Sequence, residues 1–199
     1  MEPVAWTEMN EGTQADYEML GQLYEEHSQG ELVENLVNLL TVMKGPKLGY
    51  QIDRYEHSLQ SASRALRAEE SLDLVVAALL HDIGDSVAPA NHSAMAASIL
   101  RPYVDDETHW VVQHHGLFQG YYYFHHFDGD RNARDVHREH EHYEACVKFC
   151  HNYDQNCFDP DYPNIPIADF IPLMDELFSR PSRVPGVAPV GMTADLHVN

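Results

Sequence analysis

The feature that most constrains this chain is an apolar stretch, Ser71 to Ile83, whose end carries two ionisable residues. Leu74, Val75, Ala78 and Leu79 fall on one side of a helix, and the run leads straight into His81-Asp82-Ile83-Gly84. A helix this apolar has to be largely buried, and it is too short to cross a bilayer. Burying an imidazole and a carboxylate at its end is costly unless something binds them. The chain therefore has to wrap other helices around this one and bring partners to His81 and Asp82.

The flanking segments supply those helices. Apolar spacings of three and four predict one over 13–27, where Tyr17, Leu20, Leu23 and Tyr24 share a face. A second is expected over 31–43, carried by Leu32, Leu36, Leu39 and Leu40, before Lys44-Gly45-Pro46 breaks it. Others are expected over 53–68, with Asp53 as cap and His57 in the first turns, over 92–101 up to Pro102, over 105–114, over 139–153 and near 166–178. Residues 116–135, with Tyr121, Tyr122, Tyr123, Phe124, His125 and His126, have no clear period and are expected as a loop or short helices covering a site. No segment shows the convincing alternation of a strand. The expected fold is all-α. An N-terminal extension and helix occupy 1–30, a helical domain 31–180 and an extended, proline-rich tail 181–199.

Charge and composition narrow the function. A formal net charge of −20 leaves no basic stripe to neutralise phosphates, so nucleic acid is not an expected partner, nor is an anionic membrane surface. The N-terminus lacks the basic and apolar regions of a signal peptide, and the expected location is the cytoplasm. Cys146, Cys150 and Cys157 are too few for a disulfide scaffold and read as buried thiols. The chain has 14 histidines, most of them between His57 and His142. Histidine is the commonest metal ligand, which directs attention to that region. The run His137 to His142 reads as a solvated helix face rather than a metal tract.

Around the His81-Asp82 pair stand His57 on an expected helix, Asn91-His92 opening another, His114-His115-Gly116, and Phe149-Cys150-His151-Asn152-Tyr153-Asp154. This arrangement resembles the HD superfamily of metalloproteins, and in particular its dinuclear branch. The resemblance implies an HD-domain helical bundle with a dinuclear metal site at its centre. Its ligands would be His57, His81, Asp82, His92, His115 and Asp154, with Asp82 bridging the two ions. His114 and His115 compete for one position, and His115 is preferred. By ligand type the set suits iron, manganese or zinc.

Within that branch, Tyr55 to Gln60, Ala77 to Gly84 and His92 to Leu100 are similar to the mixed-valent diiron oxygenases that cleave phosphonates, of the PhnZ and TmpB type. Phe149 to Asp154 is similar to inositol oxygenase. The resemblance spans roughly residues 50–155. It implies two iron ions, Fe(II)/Fe(III), and O2-dependent cleavage of a C–P or C–C bond in a small polar hydroxy-substrate, for instance a 1-hydroxyphosphonate bearing an amine or quaternary ammonium. Tyr50 is then the candidate tyrosine that caps one iron before substrate enters, and Asp53 a contact for a substrate cation. Asp85, Gln119 and His151 stand where the relatives carry basic residues, so an anion would need other cations, such as His125 or Arg131. The rival reading is a metal-dependent phosphohydrolase using manganese or another divalent ion on a phosphate ester or nucleotide. Against it stand Asp85 and a total of 12 lysines and arginines. A binding module without chemistry is disfavoured because all six ligand positions hold competent residues.

Overall fold

A computed structural model describes residues 2–184, and most of the expected C-terminal tail lies outside the described residues. The α-helices are α1 (Gln14–Val42), α2 (Arg54–Arg67), α3 (Leu72–Leu80), α4 (His92–Leu100), α5 (Asp106–Gln119), α6 (Tyr143–Phe149) and α7 (Ile167–Phe178). Short 3-10 turns lie at Met9–Glu11, Gly120–Tyr122, Phe124–Phe127 and Ala133–His137, and a π-helical turn at Cys150–Asp154. No strand occurs among the described residues, and the fold is all-α, as the sequence leads one to expect.

Side-chain caps start several of these helices. Thr13 and Asp16 form a reciprocal capping box on α1, and Asp53 and Glu56 form another on α2. Ser71 caps α3 and Asp105 caps α5 through single acceptor bonds. Boundaries differ from the sequence expectation in three places. The two helices expected over 13–27 and 31–43 are one continuous α1, which crosses the boundary expected at residue 30. A lone glycine such as Gly30 costs a helix about 1 kcal/mol, and burial of Leu36 and Leu40 on the same helix offsets it. Helix α5 runs on past His114 to Gln119. The helix expected over 139–153 begins only at Tyr143 and widens into the π turn after Phe149.

Helix α3 is the axis of the molecule: Val75, Val76, Ala77, Ala78, Leu79 and Leu80 are all buried. It packs between α2 and α7 and also touches α5, which in turn packs against α4 and α6. Asp73, buried near the start of α3, receives Arg180 at 2.6 Å and the backbone N–H of Asp105 at 2.8 Å. That contact ties the end of α7 and the start of α5 to the same point. The opposite end of α3 delivers His81 and Asp82 to the centre of the bundle.

Candidate metal centre

Six side chains from five parts of the chain meet at the C-terminal end of α3. His57 comes from the first turn of α2, His81 and Asp82 from the turn that closes α3, His92 from the first position of α4, His115 from α5 and Asp154 from the π turn. His57, His81, Asp82, His115 and Asp154 are buried, while the His92 side chain keeps 24% of its exposure. The cluster is thus closed on most sides and open at His92.

The four imidazoles share one orientation. Nδ1 of His57 meets the carbonyl of Cys157 at 2.9 Å, Nδ1 of His81 that of Ala78 at 2.8 Å, and Nδ1 of His115 that of Val112 at 2.7 Å. His92 makes a longer contact of the same kind to Pro89 at 3.3 Å. A carbonyl oxygen only accepts, so in each neutral ring Nδ1 carries the proton and Nε2 points a lone pair inward. Nε2 of His57 and Nε2 of His81 then face each other at 3.2 Å, an arrangement that two lone pairs hold only around a cation or a shared proton. Backbone carbonyls fixing the outer nitrogen are the usual support of histidine ligands.

The inner atoms lie at separations suited to a shared ion. Two ligands about 2.1 Å from one ion stand about 3.0–3.4 Å apart at ordinary coordination angles. Here His57 Nε2 lies 3.4 Å from Asp154 Oδ1 and 3.5 Å from Asp82 Oδ2, and His81 Nε2 lies 3.6 Å from Asp82 Oδ2. The other oxygen of Asp82 lies 3.2 Å from His115 Nε2 and 3.5 Å from His92 Nε2. Asp82 therefore turns one oxygen toward each of two donor groups. Asp154 Oδ2 is buried without a hydrogen-bond partner, which is costly for a carboxylate unless a cation serves it. The residues present fit one or more metal ions.

Charges within the cluster answer one another. Burial opposes charging His57 and His81, but the carboxylates of Asp154 and Asp82 outweigh it and hold both imidazoles above their ordinary pKa. Burial likewise favours the neutral acid at Asp82 and Asp154, and the surrounding imidazoles reverse it, holding both carboxyls below the usual range.

The open side gives onto a cleft of about 330 Å³. Tyr50, Arg54, Asp85, Gln119, Tyr123 and Phe158 line it together with the exposed edges of Asp82, His92, His115 and Asp154. Tyr50 stacks on Phe158, with ring centres 4.7 Å apart, and Phe158 stacks on His57 at 4.5 Å. Gln119 donates from Nε2 to Asp154 Oδ1 at 2.9 Å, and its Oε1 is buried without a partner. Asp85 sits 2.9 Å from Arg54 Nε and 3.5 Å from His92 Nδ1.

Four residues expected at a substrate site lie elsewhere. Asp53 spends its oxygens on the backbone N–H groups of Glu56, at 2.8 Å, and Gly45, at 3.2 Å, as the cap of α2. His125 is exposed and packs on His126. Arg131 lies over the ring of Tyr121, which Arg134 covers too, at 4.2 and 3.9 Å. His151 is exposed and meets the Tyr122 hydroxyl at 3.3 Å. These groups satisfy local contacts instead of facing the cleft. His114 turns away from the cluster and stacks on Trp110 with ring centres 4.1 Å apart, whereas its neighbour His115 faces Asp82. Arg54 and Phe158, both in the cleft, escaped the sequence reading. Arg54 stands three residues before His57, and helical spacing alone places both on one side of α2. Phe158 lies in a stretch without periodicity, and nothing local marks it.

The fold and the cluster define an all-helical domain whose buried histidines and aspartates could hold metal. Residues 54–154 match the HD domain family, and the chain belongs to it. No curated protein matches the chain. HD domains are usually metal-dependent enzymes, so the coarse reading is an enzyme of that kind. No helix among the described residues is long and apolar enough to cross a membrane.

Proposed function

We propose that this chain is a diiron oxygenase that cleaves a C–P or C–C bond of a small polar hydroxy-substrate, with 1-hydroxyphosphonates as the leading class. The observation that carries the reading is the form of the cluster: inward-facing imidazole nitrogens on both sides of one carboxylate, Asp82, whose two oxygens point to different donor groups. His57, His81, Asp154 and one oxygen of Asp82 would hold one ion, and His92, His115 and the other oxygen of Asp82 the second. A pair of iron ions in the Fe(II)/Fe(III) state would supply O2 activation and a binding position for a substrate hydroxyl.

The remaining residues bind and orient. The exposed edge of His92 leaves room for substrate where the cluster meets the cleft. Gln119, which lines the cleft, steadies Asp154 through Nε2. Tyr50, Tyr123 and Phe158 form an aromatic wall that excludes water from the reacting bond. Tyr50, half-exposed where it lines the cleft, is the residue that would cap the site until substrate arrives. For a 1-hydroxyphosphonate the balance is simple: substrate dianion and O2 give a carboxylic acid and hydrogenphosphate.

A second reading, metal-dependent phosphate-ester hydrolysis, is favoured by Arg54, which brings a guanidinium beside the open metal edge where a phosphoryl oxygen would sit. One experiment separates the two. Protein from iron-supplemented cells is assayed for metal content, for the EPR signal of a coupled Fe(II)/Fe(III) pair, and for O2 uptake with a panel of hydroxyalkylphosphonates. Iron with that signal and substrate-dependent O2 uptake is the expected result. Manganese or another divalent ion, with phosphate release from esters that persists anaerobically, overturns it in favour of hydrolysis.

A further inference from the structure

Among the described residues Arg54 is the only lysine or arginine lining the cleft, whose other charged groups include Asp82, Asp85 and Asp154. In a chain of net charge −20, an anionic substrate needs a local cation, a bound metal or a basic side chain, to enter at all. The guanidinium is held in place from several sides. Nε lies 2.9 Å from Asp85 Oδ2, Nη1 lies 3.6 Å from Asp82 Oδ2, and the group packs over Tyr50 and Phe158 at 5.2 and 5.9 Å from their ring centres. A guanidinium has five N–H donors, and these two carboxylate contacts engage only part of them. Asp85 has a second neighbour, His92 Nδ1 at 3.5 Å. The pair Arg54–Asp85 thus lies between the cluster and solvent, with Arg54 33% and Asp85 22% exposed.

We infer that Arg54 is the anchor for an oxyanion of the substrate, a phosphonate, phosphate or carboxylate group, and that Asp85 is its built-in competitor, which sets how tightly anions are held. The inference rests on reading the cleft as the substrate site, but not on which bond is cut there. With Asp82 engaged by metal, Asp85 is the carboxylate left to Arg54. An incoming oxyanion takes the guanidinium's free donors in a forked, charge-assisted contact and draws it from Asp85. The aromatic faces of Tyr50 and Phe158 keep the planar group oriented throughout. A neutral or purely cationic molecule gains nothing from Arg54 and meets a cleft already internally paired, so the device selects for anions in an otherwise acidic protein.

The test is binding of methylphosphonate to metal-loaded full-length protein by calorimetry, with metal content measured for each variant. Arg54→Gln is expected to keep its metal and bind methylphosphonate at least ~10-fold more weakly. Arg54→Lys should recover only part of that loss, because an ammonium lacks the fork. Asp85→Asn should keep its metal and bind about 2- to 5-fold more tightly. Equal affinity in wild type and Arg54→Gln would overturn the anchor role, whatever the protein does with O2. Loss of metal on Asp85→Asn would overturn the competitor role and make Asp85 a ligand beside His92. Failure of the oxygenase reading shows in O2 uptake and leaves these affinities as they are.

Discussion

Gly84 offers a sharp test of how the cluster is built. Among the described residues the glycine with a positive φ is Gly49, so Gly84 is not required by a left-handed backbone. Its reason is proximity: a Cβ there would lie 2.9 Å from Cα of His92, 3.1 Å from its carbonyl oxygen and 3.2 Å from its Cβ. Carbon atoms in comfortable contact keep about 3.5–4.0 Å, and what blocks the methyl is the backbone of α4, which cannot rotate aside. Gly84→Ala must therefore push the start of α4 outward by on the order of half an ångström. Overpacking of this kind costs about 1–3 kcal/mol, while the stiffer unfolded chain returns about 0.4–1 kcal/mol. The net loss of about 1–2 kcal/mol lowers the unfolding midpoint of a domain this size by about 2–8 °C. The displaced residue carries the imidazole that stands 3.5 Å from Asp82 Oδ1, whereas His57, His81 and Asp154 hang on other elements. Thermal unfolding and metal analysis should then show a less stable protein that loses the ion on the His92 side and retains the other. A Gly84→Ala protein with wild-type midpoint and full metal content would refute the argument from close approach.

On the two-ion reading, Asp82→Ala should remove metal from both halves of the cluster, since one of its oxygens faces each half; metal analysis that finds either ion retained rejects the bridging role. His114→Ala should leave metal content intact and cost about 1 kcal/mol through lost stacking on Trp110, while His115→Ala should strip the ion shared with His92; the reverse pattern would exchange their roles. Metal-free protein should be most stable between about pH 4 and 6.5. His57 and His81 have raised pKa values, so their contribution is complete below the unfolded value and fades as pH climbs through the folded one. Asp82 and Asp154 have lowered values, so theirs is complete above the unfolded value and fades as pH falls through the folded one. Metal-loaded protein should instead gain stability as pH rises through this range, because protons compete with the ion for the same nitrogens. Parallel stability–pH curves with and without chelator, measured by thermal shift, would contradict this.

The chain's own pattern determined that it is helical and where its centre lies. The run ending in His81-Asp82 is wholly apolar from Leu74 to Leu80, so any fold had to bury it and had to answer the charge at its end. Caps such as Asp53 and Ser71 could be read as well, because they act within one turn of the backbone. Other features belong to the tertiary structure alone. The resemblance already favours His115 over His114, but the physical reason, which side of α5 meets α3, is a matter of packing that adjacent residues cannot reveal. The π turn that turns Asp154 inward has no propensity signal, because one widened turn is held by its surroundings. Phe158 joins the cleft through a stack on His57 from a segment without periodicity. Arg54 and Asp85, far apart in sequence, come together only at the open edge. Local interactions decide where helices start and which faces are apolar; a site assembled from five separate segments exists only once long-range packing has set the distances between them.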